Sequence, residues 1–219
     1  KAASPVCADA ALRAIETELA QAFEAARARF AARPALVAAL EQDETRFLDQ
    51  RDAIIANLAK VDPYNRKEKA EFHDPARIMR RRIAFLKRID PVPRKTKQGE
   101  WGSAEGMLAV HPRDHGAYVS LEARRKKIGL DKVEDWLCWG MGDFRGRMKP
   151  EPAELPATIY RGDGENLQPQ GIVIRLVNGM AEVAFRPAGK RKSGQSAPVC
   201  EGNAASGAPI SLFPLREAR

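Results

Sequence analysis

Leu12, Ile15, Leu19, Phe23, Ala26 and Phe30 recur three and four positions apart, so on a helix they share one face. Arg13, Glu16, Glu24, Arg27 and Arg29 fall largely elsewhere around it, and the alanine content favours helix intrinsically. The pattern predicts a first helix over residues 8–32. Pro34 breaks it and suits the first turn of a second helix over 35–60, whose apolar side carries Leu36, Leu40, Phe47, Ile54 and Leu58. Asp62-Pro63 stops that helix, because proline disfavours helical backbone in the residue before it. Residues 64–73 are polar and read as a loop. Asp74-Pro75 then pairs an N-cap with a first-turn proline and opens a third helix running to about Ile89. Met79, Ile83 and Leu86 form its stripe, widened by Ile78, Phe85 and Ile89, while Arg80, Arg81 and Arg82 point to successive sides. Such stripes are buried only against each other or against a neighbouring domain.

Residues 91–99 hold Pro91, Pro93, Arg94, Lys95 and Lys97, which predicts a stiff, wet linker. Beyond Gly99 the period shortens. Met107–Val110, Ala117–Ala123, Trp136–Met141, Ala157–Tyr160, Gly171–Val177 and Met180–Phe185 are strand candidates. Asn178-Gly179 between the last two supplies the positive φ angles of a type I′ hairpin turn. Residues 187–198 read as a loop. The expected fold is α+β, a three-helix segment followed by a small antiparallel β-sandwich or barrel, with domains at 1–90 and 100–219.

Charge refines the picture. The net charge is +8, and residues 61–100 hold twelve basic and six acidic side chains. A local cationic excess attracts polyanions, anionic lipid or an acidic partner. No apolar run approaches the roughly 18 residues of a membrane-spanning helix. Of the three cysteines, Cys138 and Cys200 both fall in the β region, and the reading pairs them as a disulfide in an exported protein. The opening Lys1-Ala2-Ala3-Ser4-Pro5 reads as a mature start after removal of a signal peptide, which implies a periplasmic or secreted location.

The run from Val6-Cys7-Ala8-Asp9 through Leu12, Ile15 and Leu19, with Glu44, Arg46-Phe47-Leu48 and Arg51-Asp52, resembles the LprI-like lysozyme-inhibitor family over residues 6 to about 55. Ile83-Ala84-Phe85-Leu86, Asp90-Pro91 and Gly99-Glu100-Trp101-Gly102-Ser103 resemble the junction of longer members carrying a C-terminal β domain. Ala53 stands where that family has a cysteine. The resemblance implies a non-enzymatic, exported bacterial protein whose partner is a lysozyme or other muramidase.

Candidate chemistry is sparse. Gly140-Met141-Gly142-Asp143-Phe144-Arg145-Gly146 has the wrong spacing for a dinucleotide fingerprint and reads as a strand bend. His111 and His115 lie four apart, but Pro112 and Gly116 argue for a turn, and no third metal ligand is evident. No nucleophile elbow is present and no carboxylate pair is singled out, so neither catalytic residues nor a cofactor are expected. Trp101, Trp136 and Trp139 are candidates for a partner surface, weighed against packing inside the β domain. An inhibitor of a basic lysozyme needs an acidic contact face. Glu41, Asp43, Glu44 and Asp49, with Asp52 beside them, are the expected partner-binding residues. The alternative is an envelope-binding module that docks anionic glycan or lipid through the basic residues 66–97. Nucleic acid is not an expected partner.

Overall fold

The computed structural model describes residues 9–58, 74–128, 133–145, 154–161, 168–186 and 209–216, of which 56–58, 124–128, 133–140, 143, 145, 159–161 and 168–170 are described by their backbone. Three helices come first: α1 (Ala10–Arg29), α2 (Pro34–Leu58) and α3 (Pro75–Arg88). Eight strands follow: β1 (Gly99–Ser103), β2 (Gly106–Arg113), β3 (Gly116–Ile128), β4 (Val133–Arg145), β5 (Glu154–Arg161), β6 (Gln168–Val177), β7 (Met180–Phe185) and β8 (Ile210–Pro214). The chain divides into two compact units, residues 1–89 with 128–134, and residues 90–127 with 135–219.

In the helical unit each start is chemically marked. The Asp9 carboxylate accepts from the N–H groups of Ala11 and Leu12, and the Asp74 carboxylate from that of Ala76, so both caps satisfy orphan donors of a first turn. Pro75 sits where its missing N–H costs nothing. α1 buries Ile15, Leu19, Ala22 and Ala26 and packs along α3, which buries Met79, Ile83 and Leu86. Leu36, Leu40, Phe47 and Ile55 are the buried side of α2.

The strands form one closed antiparallel barrel in simple sequence order. Closure comes from β8, whose Pro214 and Phe213 pair with Trp101 and Gly102 of β1. Of the two architectures the sequence allows, the barrel is the one formed. Alternation fills it: Leu108 and Val110 of β2, Ala117, Val119, Leu121 and Ala123 of β3, Ile172 and Ile174 of β6, Ala181 and Val183 of β7, and Ile210 and Leu212 of β8 all turn inward. Burying each of the larger side chains contributes about 1.5–3 kcal/mol. The β6–β7 turn is the one expected, with φ of 53° at Asn178 and 85° at Gly179. Gly106 opens β2 where a Cβ would lie 2.2 Å from the Glu122 carbonyl oxygen, so only glycine permits that approach to β3.

Residues 91–98 differ from the expected wet linker. They are fastened to the barrel end where β1 begins and β8 finishes. The Asp90 N–H donates to the Pro214 carbonyl at 2.8 Å. Arg94 donates to the carbonyls of Gln98 and Leu215, and its guanidinium lies 5.3 Å from the centre of the Trp101 ring. The Trp101 indole N–H donates to the Lys97 carbonyl at 2.9 Å, and Lys97 itself is buried. Pro93 packs against Gly179 of the β6–β7 turn. Residue 99, counted with the linker by composition, is the first residue of β1. Buried carbonyls and a buried aromatic N–H need partners, and this strap supplies them.

Candidate functional site

The acidic face expected on α2 is divided by the fold. Asp43 and Glu44 are buried. Arg82 of α3 meets both: its NH1 donates to Asp43 Oδ2 at 2.7 Å and its Nε to Glu44 Oε2 at 3.0 Å. Its NH2 lies 2.9 Å from Glu44 Oε2, an ion contact without hydrogen-bond alignment. The guanidinium also rests 5.1 Å from the centre of the Phe47 ring and 4.7 Å from that of Phe85. A partner protein cannot reach carboxylates held this way, which removes Asp43 and Glu44 from the expected contact face. The signal lies in the spacing. Asp43 and Glu44 stand three and four residues after Leu40 and four and three before Phe47, so they share the buried side of α2. Arg82 stands three after Met79 and four before Leu86, on the buried stripe of α3.

Glu41 and Asp49 are exposed. Glu41 pairs with Arg27 of α1 at 3.1 Å. Asp52, also exposed, pairs with Arg51 at 2.8 Å, and Arg51 reaches Glu16 of α1 at 3.1 Å. The acidic side of α2 thus keeps three surface carboxylates, two of them already answered by arginines of the same unit.

The basic segment is likewise divided. Arg82 is committed to the interior, Arg94 to Trp101 and backbone carbonyls, and Lys97 is buried. On α3, Arg77, Arg80, Arg81 and Lys87 remain exposed and Arg88 half-buried. Arg77, Arg81 and Arg88 follow spacings of four and seven, and Arg80 and Lys87 are seven apart, so the five cations share the outer side opposite the stripe. Ala84 is the exposed non-basic residue among them. Lys87 meets Glu18 at 2.9 Å in a solvent-exposed pair, a contact of small worth that another anion can replace.

Other sequence candidates resolve as follows. Trp101 is fully buried in the barrel core and offers no surface. The backbone of Trp136 and Trp139 lies in β4 and their side chains are outside the description, as is that of Cys138. Cys200 and Cys7 lie outside the described residues, as do residues 64–73 and 187–198. His111 and His115 are exposed at the β2–β3 hairpin, and His111 stacks on its cross-strand partner Tyr118 with ring centres 6.4 Å apart. Among the described residues no cluster of three metal-ligating side chains occurs. Gly140–Arg145 lies within β4, where Met141, Gly142 and Asp143 pair with Tyr160, Ile159 and Thr158. No described helix is long and apolar enough to cross a membrane. No known protein family, curated protein or solved structure matches the chain.

Proposed function

We propose that the chain works by binding, as an exported, non-catalytic protein of the bacterial envelope that docks an anionic glycan or lipid through the outer side of α3. The observation that carries this reading is the surface row of Arg77, Arg80, Arg81 and Lys87 on one helix, with Arg82, their sequence neighbour, turned inward. Polyanions concentrate on such a row and release counterions as they bind. The full chain is tested for retention on an immobilised acidic glycan at rising salt, beside an Arg80→Gln/Arg81→Gln variant. Retention that falls steeply with salt and drops in the variant supports the reading, whereas equal retention of both proteins removes α3 as the site.

A second reading keeps a muramidase as the partner. It is favoured by Glu41, Asp49 and Asp52, which stay exposed on one side of α2 at spacings of eight and three. Its test is stoichiometric inhibition of muramidases on cell walls, lost in Glu41→Lys/Asp49→Lys. Inhibition that survives those two substitutions removes this side of α2.

A further inference from the structure

The docking reading leaves the anionic group itself unnamed, and the surroundings of the α3 cations narrow it. We propose that α3 recognises a hydrated phosphate-bearing polymer, of the phosphorylated-glycan kind, through ionic contacts and without entering a bilayer; this rests on the docking reading. A helix that lies in a membrane interface inserts an apolar face, with cations flanking it. The apolar face of α3 is spent inside the helical unit, where Met79, Ile83 and Leu86 are buried. Among the outer cations lies Ala84, and Ile78 and Phe85 at the edge of the row are half-buried. The exposed large hydrophobic residues among those described are Val92, Met107 and Met141, none of them in a helix.

Single-stranded nucleic acid is disfavoured on separate grounds. Its binding sites stack bases on exposed aromatic rings between the cations. In the helical unit Phe30 and Phe47 are buried, Phe23 and Phe85 are half-buried, and the Phe85 ring lies under the Arg82 guanidinium. That leaves ionic recognition, and its chemistry is mostly arginine. A guanidinium presents a planar fork that matches phosphate oxygens two at a time, which an ammonium does not. Arg80 and Arg81, with Lys87 seven residues beyond Arg80, extend this along about 10 Å of helix axis. A row of that length fits several successive phosphates of a flexible chain better than one headgroup.

The test uses the full chain and two probes: fluorescently labelled inorganic polyphosphate, and vesicles of phosphatidylglycerol in phosphatidylcholine. Both are run against the native protein and Arg80→Gln/Arg81→Gln, with helix content checked by circular dichroism. Arg80 and Arg81 are exposed, so the variant is expected to fold. The expected result is polyphosphate binding that weakens by about one to two orders of magnitude as salt rises fourfold. The variant should bind about tenfold more weakly or worse. Vesicles should bind no more tightly per phosphate than the polymer. Tighter vesicle binding that is lost in the variant would overturn the polymer proposal and leave the docking face standing, as would a single-stranded oligonucleotide that outcompetes polyphosphate. Identical behaviour of variant and native protein on both probes, or no binding to either, would overturn the docking reading itself.

Discussion

The interiors of the two units are built on different principles. The barrel core is apolar, from Trp101 and Leu108 through Leu155, Ile172 and Ile174 to Leu212. The helical unit carries Arg82, Asp43 and Glu44 among its buried side chains, between Phe47 and Phe85. In the barrel, a closed hydrogen-bond ladder already dictates which strand sits where, so its core needs only volume and alternation. Three helices have no ladder between them, and apolar stripes alone tolerate sliding. A guanidinium between two carboxylates is satisfied at one position of α3 against α2. Burial and placement are thus separate demands, met here by different residues.

The largest effect should follow from breaking the ion cluster. Arg82→Ala removes the guanidinium that meets two buried carboxylates, at a cost of about 3–5 kcal/mol. Urea unfolding followed by helical circular dichroism should show the helical signal lost first. Replacing all three groups together, as Arg82→Met with Asp43→Leu and Glu44→Leu, should restore stability or exceed it, because the desolvation cost vanishes with the charges. A triple variant as unstable as Arg82→Ala would show that the cluster contributes net stability, contrary to the placement argument. In the barrel, Leu155→Ala removes fully buried volume and should cost about 2–5 kcal/mol, read from tryptophan emission during unfolding. That substitution should leave the helical transition near its native midpoint if the two interiors are independent.

A smaller effect is expected at the strap. Gly179 has φ of 85°, and a Cβ there would lie 2.9 Å from Pro93 Cβ. Gly179→Ala therefore meets both backbone strain and a crowded neighbour, for about 1–3 kcal/mol. Deleting the proline ring with Pro93→Gly in the same chain should recover the part due to crowding. No recovery would place the whole cost in the backbone of the turn.

Much of this was legible before the structure. The three helices fall where their period of three and four placed them, with Asp74 and Pro75 at the cap and first turn. The six strand candidates lie within β2 to β7, and Asn178-Gly179 makes the turn between the last two. β1 and β8 carry no local strand pattern, for physical reasons. Gly99 and Gly102 give β1 little strand preference, and Pro214 ends β8. Both strands exist because closure pairs them across more than a hundred residues, and no local pattern reports that. The strap was hidden similarly, since two prolines and several cations describe a linker until the barrel end offers carbonyls and an indole to hold. Asp43 and Glu44 are a different case. Their spacing from Leu40 and Phe47 marks them as buried, and their charge alone suggested a surface. Period outranks charge when the two disagree and a partner of opposite sign lies at a matching position.

The smallest effect is expected at an exposed ion pair that keeps the chemistry of Arg82 and changes only its surroundings. Arg175 on β6 stands opposite Glu154 on β5 in the ladder. Its Nε and NH2 both approach one carboxylate oxygen, at 2.8 and 2.6 Å. By distance it rivals the Arg82 pairs, yet both side chains are about half exposed, at 51% and 49%. Water hydrates either partner when the other is removed, and salt screens the attraction, so such pairs contribute about 0–1 kcal/mol. Arg175→Ala should accordingly shift the barrel's urea midpoint little, and the shift should shrink further in molar salt. Arg82→Ala should keep its full cost in the same salt, since ions do not reach a buried pair. If Arg175→Ala costs as much as Arg82→Ala, or if salt erases both equally, then burial is not what separates the two arginines, and the contrast between the two interiors fails with it.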